Sequence, residues 1–136
     1  MLHVFLVMHR MRDDADCAKL ARSLAEQAVL DVDRNLREMG VGDLSVGRKV
    51  KSLTEGLYGR LGVYAEGIER TDGGLDAELR RNLFSEGQAL DASIQAAESY
   101  MRRETESLKM CDTADLLAGC VRFGAGPVGG IENGGK

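Results

Sequence analysis

Few side chains in this sequence are typed and spaced for chemistry. His3 and His9 are its two histidines. Six residues apart, they face different sides of a helix, and neither sits in an H-x-x-x-H or E-x-x-H pattern. A metal site is therefore not expected. No positional cue pairs a histidine with a serine or cysteine as base and nucleophile. Asp31 and Asp33 form a D-x-D, but on a helix they point apart and read as solvated charges. Cys17, Cys111 and Cys120 are an odd number without C-x-x-C spacing. That pattern disfavours a disulfide framework or a zinc site and reads as small buried hydrophobes in a reducing compartment. Gly40, Gly42 and Gly47 have the composition of a phosphate loop, yet no Gly-Lys-Ser/Thr follows and no strand precedes. They read as a turn cap and tight helix packing. The expectation is a protein with no catalytic residue, no metal and no cofactor. The alternative is a small helical ligand- or haem-binding module, with His3 or His9 as the iron ligand.

The elements that would position any site are helical. Leu2 to Arg10 reads as a short helix, with a strand as the competing reading of its β-branched run. Asp13 or Asp14 caps a second helix with Cys17, Leu20, Leu24, Ala28, Val32, Leu36 and Met39 on its inner face, and Gly40 stops it. After a Val41–Leu44 connector, with Asp43 or Ser45 as cap, a third helix carries Val46, Val50, Leu53, Leu57, Leu61, Tyr64 and Ile68. Thr71-Asp72-Gly73-Gly74 ends it. A fourth helix spans Leu75 to Phe84 with Leu79 and Leu83 on one side, Ser85 to Gln88 break the chain, and a fifth spans Leu90 to Lys109. Its inner face carries Leu90, Ile94, Ala97, Tyr100, Met101 and Leu108. Asp112 or Thr113 caps a last helix to Phe123. The predicted architecture is all-α: one compact bundle of five or six helices over residues 1–123. The Gly-rich segment 124–136 has almost nothing to bury and is predicted to be disordered.

The segment Leu36–Arg60, LREMGVGDLSVGRKVKSLTEGLYGR, stands apart. Charges flank a Met-Gly-Val-Gly turn, and a long helical stripe ends in Tyr58-Gly59-Arg60. Asp33 and Arg37 are i,i+4 partners. With Glu38, Asp43, Arg48 and Arg60 they form either a solvated cluster, a docking surface, or a partly buried network; the flanking apolar residues favour the last. Gly56, Gly59 and Gly62 recur every third residue inside a helix, where each glycine costs about 1 kcal/mol against alanine. That cost implies close approach of another backbone, first within the domain, second from a partner.

This segment resembles the signature of the ubiquinol–cytochrome c chaperone family, assembly factors for the respiratory cytochrome bc1 complex. The matching residues are Asp33, Leu36 through Leu44, Val46 and Tyr58-Gly59-Arg60, and the resemblance extends over about residues 2–123. Leu57 stands where an aromatic is usual and Gly56 where alanine is usual. The resemblance implies a non-enzymatic chaperone that holds cytochrome b or an early bc1 intermediate beside the membrane, with a small co-chaperone in mitochondrial relatives. It makes Arg37, Glu38, Asp43, Arg48, Tyr58, Gly59 and Arg60 the candidate partner-binding residues.

Bulk properties are compatible. The 136 residues fit one core, the net charge is −4, and no basic face suggests nucleic acid. The N-terminal apolar run of about seven residues is far below the roughly 20 that span a bilayer, and basic residues ahead of it, as in a signal peptide, are missing. The expected location is cytoplasmic, or the matrix side in a mitochondrion, with a peripheral inner-membrane contact compatible with the role.

Overall fold

The computed structural model describes residues 2–83 and 91–127. Among the described residues six α-helices run in order: α1 (Leu2–Met11), α2 (Ala18–Glu38), α3 (Asp43–Glu69), α4 (Gly74–Leu83), α5 (Asp91–Lys109) and α6 (Thr113–Leu117), with a 3-10 turn at Ala15–Cys17. No strand occurs among the described residues, and the β-branched N-terminal run is helix. The predicted break at Ser85–Gln88, the start at Leu90, the Leu83 side chain and residues 128–136 lie outside the described residues.

The core gathers α1, α4, α5 and the C-terminal half of α3. Phe5, Leu6, Tyr64, Leu75, Leu79, Ile94, Ala97, Tyr100, Met101 and Leu108 form one buried cluster, and Leu61, Ile68, Val121 and Phe123 pack against it. A smaller cluster of Met11, Cys17 and Leu116 joins α1, the 3-10 turn and α6, with Leu20 and Leu24 of α2 packed against it. α2 and α3 form an antiparallel hairpin, and α3 also packs on α4. At about 1.5 Å per residue, the 27 residues of α3 span about 40 Å. Only its C-terminal half reaches the main core. The hairpin itself is thinly packed, because the fully buried residues of α2 are Ala25 and Ala28.

Helix ends follow the backbone more than the stripes. Gly40 sits at φ +83°, donating to Arg37 O, while Val41 donates to Leu36 O, so α2 closes in a Schellman turn as its glycine predicts. The same device acts at Gly119, with φ +76°, where Cys120 donates to Asp115 O. This ends α6 at Leu117 rather than Phe123; residues beyond it are irregular, with Val121 and Phe123 still on the core. Asp14 caps the 3-10 turn, its side chain accepting from the Asp16 amide. α3 begins earlier than its stripe. Gly42 is its N-cap, so Asp43 is the first helical residue and not the cap, and Ser45 Oγ donates to Gly42 O at 3.0 Å.

Two arginines close helix C-termini, where free carbonyls and the helix dipole favour a cation. Arg102 donates to the carbonyls of Ile68, Gly67 and Arg70 at the end of α3. Arg10 donates to those of Leu108 and Cys111 at the end of α5. The adjacent pair Arg102–Arg103 is thus not plain solvated surface. Arg103 lies 5.2 Å over the Tyr100 ring and bonds the carboxylate of Glu104, which is only 2% exposed. Glu104 accepts from the Gly124 amide at 3.0 Å, and Ala125 O accepts from Arg103, which ties residues 124 and 125 to α5.

Candidate functional site

The signature residues map onto the α2–α3 hairpin. Arg37 near the end of α2 donates to Asp33 at 2.8 Å and to Asp43, across the turn, at 2.7 Å. The Asp33 carboxylate holds the Arg37 guanidinium above its ordinary pKa by hydrogen bond and charge, with Asp43 adding to it. The expected partly buried network is not what forms: the Arg37 side chain is 50% exposed and that of Asp43 90%. The turn is too short to bring a covering element over these charges, so the ion pairs brace the hairpin in water, where such pairs contribute little.

Glu38, Arg48, Tyr58 and Gly59 are exposed. From Asp43 to Gly59 the outer face of α3 covers about 24 Å at about 1.5 Å per residue. Arg60 is set apart from them. It is half-buried and lines two small apolar slots on the inner side of α3.

The glycines of α3 divide in an unexpected way. A Cβ at Gly59 or Gly62 would meet nothing within 4 Å, and one at Gly56 would meet only the Arg60 guanidinium, 3.4 Å away. Close packing within the domain, the first reading of these three, is therefore not their role. The tight glycine is Gly67, where a Cβ would stand 3.0 Å from Leu75 Cα, against backbone of α4. No spacing rule singles out Gly67, because its neighbour is set by how the 70–73 turn folds α4 back.

The hairpin also concentrates exposed apolar surface. Of the large hydrophobics exposed among the described residues, Leu30, Met39, Leu44, Leu53, Tyr58 and Val63 lie on α2, α3 or their turn, against Met110 and Leu117 elsewhere. Leu44 is 99% exposed and Met39 79%. Met39, expected on the inner face of α2, thus points to water at the hairpin tip, since the helix has ended and nothing lies below it.

The two histidines serve separate places. His3 Nε2 lies 2.7 Å from the Tyr100 hydroxyl, and its ring packs on Phe123 at 4.4 Å. His9 stacks on Phe5 and lines a cavity of about 570 Å³ with Arg10, Arg12, Glu69, Glu106 and Lys109. Most of the charges in that cavity are paired with one another: Arg12 bonds Glu69, and Lys109 bonds Glu106 at 2.6 Å. Its Thr105 hydroxyl donates to Met101 O at 2.7 Å. Its His9 Nδ1 is buried without a partner among the described residues, and burial followed by the nearby Arg12 charge pushes the His9 pKa down. Among the described residues no three His, Cys, Asp or Glu side chains gather as a metal site, and no helix is long and apolar enough to cross a membrane. Of the cysteines, Cys17 is buried as expected, Cys111 is half-buried and Cys120 is exposed.

Similarity to known proteins follows the same residues. A ubiquinol–cytochrome c reductase complex assembly factor 1 of Xenopus laevis is 28% identical over 117 residues, 85% of this chain and 58% of that protein. The Homo sapiens protein of the same name is 27% identical over 118 residues, 86% of this chain and 40% of its own length. The chain thus spans about half the length of these relatives. The crystal structure of a Cbp3 homolog from Brucella abortus superposes with a TM-score of 0.80 at 30% identity, over 91% of this chain and 69% of that one. The family described as ubiquinol-cytochrome C chaperone matches residues 1–123, through every helix and both sides of the signature turn, and the chain belongs to that family.

Proposed function

We propose that this protein is a non-enzymatic assembly factor for ubiquinol–cytochrome c reductase, the cytochrome bc1 complex, and that it docks its protein partner on the α2–α3 hairpin. The partner is cytochrome b or an early assembly intermediate containing it, held beside the membrane; a small co-chaperone would engage the same or an adjoining face. The observation that carries the reading is the concentration of exposed apolar side chains on a thinly packed hairpin that also bears the family signature. Exposed apolar surface of this kind costs solubility and is kept where something binds. Leu44, Tyr58 and the open backbone at Gly59 and Gly62 offer an incoming helix a ridge with small gaps. Arg37, Glu38, Asp43 and Arg48 around the tip would fix its register by charge.

Deletion tests the role. In source cells with no second copy of the gene, membranes lacking this protein are expected to lose haem b absorbance and ubiquinol–cytochrome c reductase activity, both restored by a plasmid copy. Normal levels without the gene would remove the assignment.

A further inference from the structure

Arg60 differs from every other cation of the hairpin. Arg37 has its carboxylates, and Arg48 stands in water. Arg60 is half-buried between two apolar slots of about 150 and 50 Å³, which share Leu57 and Arg60. Val29, Val32 and Leu53 wall the larger slot; Phe5, Leu61 and Tyr64 wall the smaller. Among the described residues neither lining holds an acid. On the facing side of α4, Glu78 is taken by Arg81 at 3.2 Å and by the Asn82 amide. The guanidinium lies back along α3 beside Gly56, where a Cβ would stand 3.4 Å from Nη2, an ordinary contact.

A half-buried cation in apolar surroundings, without a carboxylate among the described residues, carries a desolvation cost that a partner anion would offset. The slots are too small for a whole ligand, which takes roughly 300–1,000 Å³. They fit side chains of a docked segment. Resting on the assembly-factor reading, we infer that the Arg60 seam, which runs along α3 from its contact with α2 to its contact with α1 and α4, receives a partner helix whose Asp or Glu is flanked by apolar residues. The carboxylate takes the guanidinium bidentately and the neighbours fill the two slots. Arg60 is thereby the residue that selects the partner segment by charge, while the outer face of α3 supplies area.

The test places photo-reactive benzoylphenylalanine at Leu53, beside the larger slot, in the full-length protein in its source cells. Irradiation is expected to yield one cross-linked protein whose attached segment carries Asp or Glu among apolar residues. Arg60→Gln should lower that yield by about tenfold or more, with an unchanged melting temperature, and Arg60→Lys should retain most of it. Neutralising the partner's acid should have the same effect and add nothing to Arg60→Gln. No cross-link, a yield indifferent to Arg60, a segment without an acid, or capture of a second copy of this chain overturns the inference. So does joint, non-additive destabilisation by Arg60→Gln and Glu86→Gln, an acid in the chain between α4 and α5 outside the described residues, which would mean an internal ion pair. An Arg60-dependent partner unrelated to the bc1 complex would keep the seam and remove the assembly reading; capture of a bc1 protein without dependence on Arg60 would do the reverse.

Discussion

Single residues decide more here than their types suggest. Two glycines of one helix behave oppositely. Gly67 faces backbone of α4, so Gly67→Ala forces a Cβ to within 3.0 Å of Leu75 Cα. Overpacking against backbone that cannot move should cost about 1–3 kcal/mol. Gly62 faces open space, so Gly62→Ala removes a helix-interior glycine and should stabilise by about 0.5–1 kcal/mol. Urea denaturation of the two variants separates these signs. A loss of stability at Gly62, or none at Gly67, would mean that α3 packs otherwise. His9 carries the second residue-level expectation. Its folded pKa lies below the ordinary value because burial and Arg12 oppose the charged ring. The unfolded chain then binds the proton more readily, so this contribution is complete above about pH 6.5. It is lost as pH falls from there toward the folded value. Urea midpoints from pH 8 to 5.5 should fall for the wild type and stay flatter for His9→Phe, which keeps the stack on Phe5. The lowered carboxylates of Asp14, Glu69 and Asp72 act only in a more acidic range. A parallel pH dependence in both proteins would contradict the account of His9.

At the scale of elements, the stripes and most ends were legible, and the end of α6 was not. The three/four spacing of Val46, Leu57 and Tyr64 on α3, and of Ile94, Ala97, Tyr100, Met101 and Leu108 on α5, marks faces that the structure buries. Gly40 announced the end of α2, yet Gly119 did the same for α6 while apolar residues beyond it suggested more helix. Glycine in the left-handed region ends a helix whatever follows it. Val121 and Phe123 reach the core as irregular chain instead. Burial of the charge cluster was illegible for another reason. Pairing of Asp33, Arg37 and Asp43 is local and follows from spacing, whereas exposure depends on whether a distant element covers the turn. Arg10 and Arg102 illustrate the same limit: each caps a helix from another part of the chain. Within the candidate site, the family signature marked the hairpin and the three/four spacing from Leu53 and Leu57 already sets Arg60 on the inner side of α3, but its half-burial needed the packing of the neighbouring helices.

The whole molecule divides into a packed body and an exposed hairpin. α1, α4, α5 and the end of α3 bury the large side chains, while α2 meets α3 largely through alanines and valines. Such a division suits a protein that keeps one rigid part folded and offers another to a client. On the proposed role, the outer hairpin face is used in bc1 assembly and is not needed for folding. The most direct measurement uses the double variant Leu44→Asp/Gly59→Leu. Leu44 is almost fully exposed, aspartate is favourable in the first turn of a helix, and a side chain at Gly59 starts into open space. Expressed in cells lacking the native gene, this variant should match the wild type in abundance and melting temperature. Haem b absorbance and ubiquinol–cytochrome c reductase activity in the membranes should drop toward the level of the deletion. Full reductase activity with the variant as the sole copy would contradict the account.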